Sequence, residues 1–356
     1  MFGKLASALK NADTDKLVDA AASGLGKLGV GSSQETQYEN KSEKVEKNLG
    51  PGGKSRALLI GINYVGQKGE LRGCHADVKN VKAYLESTGL FKEYRVLLDD
   101  ASNSEKPTKA NMISAFNWLV KDAKPNDSLF LHYSGHGSYQ ADTNGDEIDG
   151  QDETIVPVDF NSAGMIVDDD LHDMLVKPLP AGCKLTAIFD CCHSGSTMDL
   201  PFTYSVTGQN EIVCRDNTRE ILKAGISIGK RLLAKDTRGA ARESFQALSL
   251  LKNKDKKPND EAYQKSLIEK SSDAQILLFS GCKDNQTSAD AQIEGSNTGA
   301  MSWAFLKVLK ENNNPPLTEL LKQLRTVLQG KYQQIPQMST AHQIDVTRTQ
   351  FSLAHH

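Results

Sequence analysis

The stretch "KLTAIFDCCHSGS", residues 184–196, runs an apolar strand into a reactive turn. Leu185 to Phe189 are apolar or β-branched throughout, the composition of a strand buried on both faces of a parallel sheet. Asp190, Cys191, Cys192 and His193 follow, and then a Ser-Gly turn. "DSLFLHYSGHG", residues 127–137, repeats the design and ends in Ser134, Gly135, His136 and Gly137. In open α/β sheets reactive groups gather at the carboxyl ends of the strands. Two such strands side by side would bring a histidine and a cysteine to one edge.

Working outward, the same alternation continues on both sides. "ALLIGI" (57–62) and "YRVLLDD" (94–100) read as strands. "ADVKNVKAYLESTGLF" (76–91) places Val78, Val81 and Leu85 on one helical face and stops near Gly89. "PTKANMISAFNWLVKDAKP" (107–125) is a helix with Met112, Phe116 and Leu119 inward. "QILLFSGC" (275–282) is a further buried strand, followed by helices in "MSWAFLKVLKE" and "PLTELLKQLRTVLQGKY". A last strand is read in "QIDVTRTQFSL" (343–353). The fold class is α/β, an open and mostly parallel sheet with helices on both faces in three αβα layers.

Two regions break the pattern. Residues 1–55 form a leader: Phe2, Leu5, Leu9, Leu17, Ala21, Leu25 and Leu28 recur at helical spacing, and the polar, Gly-punctuated stretch 31–55 reads as a linker. This helix is read as a surface element docked on the domain or, alternatively, as an inhibitor lying across its cleft. Asp13, Asp15 and Asp19 give it a mixed polar face, unlike the basic face of membrane-surface helices. Residues 201–273 are rich in Lys and Arg and show little core, so they read as an exposed loop region with local helix. The remaining α/β domain spans 56–353.

Bulk properties exclude several classes. The chain of 356 residues carries a formal net charge of −3, with a pI near 6.3, so there is no basic footprint for nucleic acid. No apolar run reaches the length of a membrane span, and the N-terminus lacks a signal-peptide layout. Cys74, Cys183, Cys191, Cys192, Cys214 and Cys282 form no CxxC pair, which points to a reduced, cytoplasmic or nuclear compartment and against a thiol redox protein.

The adjacent cysteines admit three readings: metal ligands, a buried thiol, or a nucleophile beside a packing residue. Adjacent cysteines rarely bridge each other, and Cys191, Cys192 and His193 are too crowded to share one zinc ion. Strand alternation puts Ala187, Phe189 and Cys191 on one face, and Ile188, Asp190 and Cys192 on the other. Phe189 marks the packed side and Asp190 the polar cleft, so Cys192 is the reactive candidate. His136 would act on its thiol, and the N–H groups of Gly137 and Cys192 are natural donors to an oxyanion.

"HYSGHG" together with "DCCHSGS" resembles the His and Cys motifs of the metacaspases, the caspase-like cysteine peptidases of fungi, protists and plants. The resemblance extends through "RALLIGINY", "LRGCHADVKN", "VDDDLHDMLVKPL", "MDLPFTYS" and "SGCKDNQTSAD", and is strongest to the type I, fungal-like branch. It implies a caspase-like fold and an endopeptidase in which Cys192 attacks and His136 shuttles the proton. It also implies protein substrates with Arg or Lys before the cut, bound by Asp77 and Ser134 beside Asp190. The short leader departs from the Pro- or Gln-rich prodomains usual in that branch.

The resemblance further implies calcium at Asp152, Asp168, Asp169 and Asp199. Carboxylates converging without Lys or Arg partners would repel one another until such a cation relieves them. A competing acidic loop, Asp142, Asn144, Asp146 and Glu153, follows EF-hand spacing but has Glu147 where glycine is required. "DDD" at 168–170 also reads as a helix start favoured by the dipole. Lys230, Arg231, Lys235 and Arg238 are candidate sites of self-cleavage, which family members of this type undergo in this region. A monomer with roles in programmed cell death and protein quality control is the remaining implication. The rival reading is a catalytically silent scaffold that binds misfolded proteins.

Overall fold

A computed structural model describes residues 53–141, 151–191, 197–207, 211–215, 270–282, 291–293, 296–329 and 335–355. The chain divides into two compact units, and one of them (Asn40–Gln140, Asp152–Cys214 and Ile268–His356) holds nearly all of these residues. The leader and the candidate cleavage residues Lys230, Arg231, Lys235 and Arg238 lie outside the described residues, as do Cys192, His193, Asp142, Asn144 and Asp146.

The central sheet is built from β1 (Ser55–Gly61), β2 (Glu93–Leu98), β3 (Ser128–Ser134), β7 (Lys184–Asp190), β8 (Phe202–Val206), β9 (Ile212–Arg215), β10 (Gln275–Cys282) and β13 (Ile335–Thr340). Its order is β2-β1-β3-β7-β10-β13-β8-β9. The first five strands run parallel, whereas β13 is antiparallel to both β10 and β8. A small sheet joins β4 (Gly137–Ala141), β5 (Gln151–Ile155) and β6 (Ile166–Val167), and β11 (Ala291–Ile293) pairs with β12 (Ser296–Thr298).

Helices cover both faces because each parallel connection must cross over the sheet. The α1 helix (Cys74–Thr88) has no side-chain cap at its start and closes on Gly89 at φ 67°, the left-handed stop that glycine adopts freely. The α2 helix (Lys109–Val120) is capped by the Thr108 hydroxyl, which accepts from the Asn111 N–H; such a cap contributes about 1 kcal/mol. The short α3 (Phe160–Ala163) precedes α4 (Asp168–Leu175), and α5 (Ala300–Glu311) and α6 (Leu317–Leu328) come last.

Strand alternation sorts the core into two layers. Leu129, Leu131, Tyr133, Ala187, Phe189 and Cys191 pack with α2 and α4. Phe130 and Ile188 pack on the opposite side with Val78, Val81 and Leu85 of α1 and the apolar faces of α5 and α6. Cys191 is buried in the first layer, as the parity of its strand predicts.

Two readings of the sequence are corrected. Residues 202–206 and 212–215 are strands of the main sheet, not exposed loop, and Tyr204 and Val206 are buried. The last strand is Ile335–Thr340, and 343–353 carries no strand beyond an isolated bridge from Gln350 to Pro316. Both misreadings concern the antiparallel end of the sheet. Strands there are short, and pairing with neighbours distant in sequence supplies the order that local composition does not.

The first turn of α5 abuts the carboxyl ends of β3 and β7. His132 of β3 is fully buried and its Nε2 lies 2.8 Å from the Ser302 Oγ. Burial pushes this imidazole down to about 3, so it stays neutral in the fold at any pH above that. The unfolded chain protonates near the ordinary value of about 6.5. Stability from this group is therefore complete above pH 6.5 and is lost as pH falls from 6.5 toward 3, where only the unfolded state takes up the proton. Urea unfolding across that window is expected to show wild type losing up to about 1.4 kcal/mol per pH unit relative to His132→Gln. The variant keeps an amide to meet Ser302 but does not titrate. Parallel pH profiles of the two proteins would contradict the assignment.

Candidate active site

Register sets the site. Gly61 pairs with Ser134 and Ser134 pairs with Asp190, so β1, β3 and β7 end level with one another. The chain leaves β3 toward His136 and β7 toward Cys192, each two residues past the paired ends.

His136 is held from several directions. Its N–H donates to the Tyr64 hydroxyl at 2.9 Å, and its carbonyl accepts from the Tyr133 hydroxyl at 2.7 Å. Its ring stacks on that of Tyr64 with centroids 4.6 Å apart. Its Nε2 lies 2.6 Å from the Gly69 carbonyl. A carbonyl only accepts, so Nε2 carries the proton and Nδ1 holds the lone pair of the neutral ring. Tyr64 itself sits at φ 53°, a left-handed conformation that costs a non-glycine residue about 1–3 kcal/mol. A Cβ on Gly135 would come within 2.8 Å of the Tyr133 hydroxyl and 3.1 Å of the Tyr64 hydroxyl. Only glycine allows the tyrosines to close under His136.

Beside it, Asp77, Ser134 and Asp190 come together at the start of α5. The Ser134 hydroxyl donates to Asp77 Oδ2 at 2.8 Å, and the Gly299 N–H lies 2.9 Å from both Asp77 oxygens. The Ser302 N–H donates to Asp190 Oδ2 at 2.7 Å. Burial raises the Asp190 carboxyl, while bonds from the Ser302 and Met301 N–H groups and the Ser302 hydroxyl pull it back. These donors are the open N–H groups of a helix N-terminus, whose positive end stabilises carboxylates. A Cβ on Gly299 would lie 2.2 Å from Asp190 Oδ2, so the two acids meet the helix only because this residue has no side chain. Sequence reading found Asp77, Ser134 and Asp190 but not Gly299 or Ser302, which lie more than a hundred positions further along.

The acidic candidates lie in other elements: Asp152 in β5 of the small sheet, Asp168 and Asp169 at the start of α4, and Asp199 just before β8. Asp152, Asp168 and Asp199 are buried and Asp169 is half-buried. Asp168 Oδ2 accepts from the Glu153 N–H at 3.2 Å and Oδ1 from the Asp169 N–H at 3.1 Å. Burial and the negative charge of Asp199 push Asp168 up to about 7. Contrary to the expectation of carboxylates without cationic partners, the Lys270 Nζ lies 2.9 Å from both oxygens of Asp199. A tethered ammonium thus occupies part of the charge deficit. Among the described residues, no three His, Cys, Asp or Glu side chains converge as ready-made metal ligands. The donors are all carboxylate oxygens, the type a hard divalent ion takes.

Cys74, Cys183, Cys191 and Cys214 form no disulfide. Among the described residues no helix is long and apolar enough to cross a membrane.

Comparison with known proteins assigns the family. The family model described as metacaspase, peptidase C14 domain, matches residues 55–201. Metacaspase-1A of Aspergillus terreus is 50% identical over 297 residues, spanning 83% of this chain and 72% of that protein. Metacaspase-1 of Emericella nidulans is equally similar, at 50% over 297 residues with the same coverage. The crystal structure of a Geobacter sulfurreducens protein superposes with a TM-score of 0.50 at 26% identity, covering 82% of this chain and 95% of that one. With half of its aligned residues shared with fungal metacaspases, and a caspase-like sheet in which the strands leading into "SGHG" and "DCCHSG" pair side by side, the chain belongs to the metacaspases and is a cysteine peptidase of the C14 family.

Proposed function

We propose that this metacaspase cleaves peptide bonds after Arg or Lys through a Cys192–His136 dyad, under calcium control and with self-processing. The observation that carries the dyad is the tautomer of His136: with Nε2–H bonded to Gly69, its free Nδ1 is the base. Cys192 gives its proton to Nδ1 and attacks the scissile carbonyl carbon, and the N–H groups of Gly137 and Cys192 receive the oxyanion. Collapse expels the amine, which takes the proton from His136 and leaves a thioester. Water, deprotonated by His136, then releases the acid and the thiol. With a fluorogenic Arg peptide, Cys192→Ala is expected to abolish turnover and His136→Ala to lower it by about 10²–10⁴-fold. Cys191→Ser, a change at a packing position, should retain most activity. An active Cys192→Ala or an inactive Cys191→Ser would overturn the assignment.

Preference for a basic residue is supported by Asp77 and Asp190, two buried acids that both accept from N–H groups at the start of α5. A substrate guanidinium or ammonium would meet Asp77 through charge-assisted hydrogen bonds. Cleavage after Asp with none after Arg would sink this preference.

Calcium control is supported by the crowding of Asp168 and Asp199 and by the cation drawn to them. Bound calcium would supply positive charge to Asp152, Asp168, Asp169 and Asp199, the last of which follows Cys192 by seven residues in the sequence. Lys270 supplies it to Asp199 meanwhile. Self-processing at Lys230, Arg231, Lys235 or Arg238, action in the cytoplasm, and roles in cell death and protein quality control complete the reading. Mass spectrometry after incubation with millimolar calcium should find a cut within 201–273 in wild type. It should find none with chelator, in Cys192→Ala, or in Asp168→Ala. A cut that persists in chelator would remove calcium from the mechanism.

A further inference from the structure

Asp99 stands one residue past the end of β2, at the same edge of the sheet as His136 but two strands away. Its side chain is 5% exposed, and that of its partner His75 is 14% exposed. Asp99 Oδ1 accepts from the Asn63 N–H at 2.8 Å and Oδ2 from the Val65 N–H at 3.2 Å. These are the N–H groups of the residues before and after Tyr64, so the carboxylate spans the φ and ψ of Asn63 and of Tyr64, the residue at positive φ. His75 Nε2 meets Asp99 Oδ1 at 2.5 Å. Two further bonds tie the loop to itself: the Leu71 N–H donates to the Asn63 carbonyl at 2.7 Å, and the Cys74 N–H donates to Asn63 Oδ1 at 3.1 Å.

We propose that Asp99, buttressed by His75, is a positioning residue: it clamps Tyr64 in its left-handed conformation and so fixes the loop that orients His136. One carboxylate that receives two N–H groups flanking a single residue leaves that residue little freedom in φ and ψ. Tyr64 then presents its hydroxyl to the His136 N–H and its ring to the imidazole, and five residues on Gly69 presents its carbonyl to Nε2. Loss of the clamp lets Tyr64 relax to negative φ and moves both contacts together. Burial raises the Asp99 carboxyl, but His75 and the two N–H groups outweigh it and hold the group below the ordinary carboxylate range, consistent with a permanently charged clamp. Neither residue touches substrate in this scheme. Their effect passes wholly through His136, so the inference rests on the reading of His136 as the base.

The test uses the full-length chain with four substitutions, each checked for an unchanged melting profile. Asp99→Asn and His75→Ala are expected to lower kcat by about tenfold with KM held within about twofold, since the base is misplaced while the substrate pocket is not. His75→Gln keeps a donor to Asp99 and should recover to within about threefold of wild type. The second readout is the pH dependence of Cys192 alkylation by iodoacetamide. In Asp99→Asn and His75→Ala it should move toward the alkaline profile of an isolated thiol, because a misplaced imidazole no longer supports the thiolate. If Asp99→Asn does not fold, His75→Ala decides alone. An unchanged kcat, or a lowered kcat with the wild-type alkylation profile, overturns the positioning role. The fourth substitution, His136→Ala, separates the two levels: retained activity there refutes the dyad, whereas an inactive His136→Ala beside a fully active His75→Ala refutes only the clamp.

Discussion

The peptide N–H groups in the first turn of α5 have no acceptors within their own helix, and two carboxylates from elsewhere in the chain fill that need. Asp77 comes from α1, Asp190 from the end of β7, and Ser134 from β3 completes the group. Two like charges placed this close and this deep would ordinarily repel and neutralise. The positive end of a twelve-residue helix, aimed between them, makes the arrangement tolerable. That one interaction ties the two central strands to the helical layer on one face. It also leaves an acidic patch at the end of β3, two residues before His136. A single missing Cβ, at Gly299, is what lets helix and acids approach.

The histidine depends on a different kind of support. Apart from the Tyr133 hydroxyl on its carbonyl, its contacts come from a loop with several residues at positive φ, namely Tyr64, Gly66 and Gly69. Such a loop holds its shape only when its polar backbone groups are tied down. Here the ties are Asp99, Asn63 and the Tyr64–Tyr133 hydroxyl pair, with the Val156 carbonyl closing the set at 2.7 Å from the Tyr64 hydroxyl. Burial raises both phenols well above their ordinary range, so they remain neutral donors. The site is thus a rigid sheet edge carrying a strained loop, and the strain is offset by hydrogen bonds that converge under the imidazole.

Much of this was legible in the residues. The apolar runs from Ala57, Ser128 and Leu185 mark the parallel strands because a strand covered on both faces must be apolar throughout. Parity along 187–191 placed Cys191 in the core, since successive side chains alternate faces whatever surrounds them. The antiparallel end of the sheet was not legible. Residues 202–206 mix Thr and Ser with Tyr and Val, and Pro336 interrupts the strand that joins them to β10. Each of these strands exists because a partner more than a hundred residues away supplies its ladder. The acidic group carries the same lesson: Lys270 reaches Asp199 from 71 positions downstream, so charge spacing near Asp199 could not reveal its partner.

The sequence by itself determined the strand and helix types, the parity that separates Cys191 from Cys192, and the residue types able to carry thiol chemistry. These are local properties, fixed by dihedral preference and side-chain period over a few residues. Only the tertiary structure decided which groups meet. The His136 N–H finds Tyr64 across 72 residues, Ser302 finds Asp190 across 112, and Gly299 finds Asp77 across 222. A hydrogen bond acts over about 3 Å of space and has no memory of distance along the chain. The partners that set a tautomer, hold a carboxylate charged or clamp a loop are therefore chosen by the register of the sheet and the seating of the helices upon it.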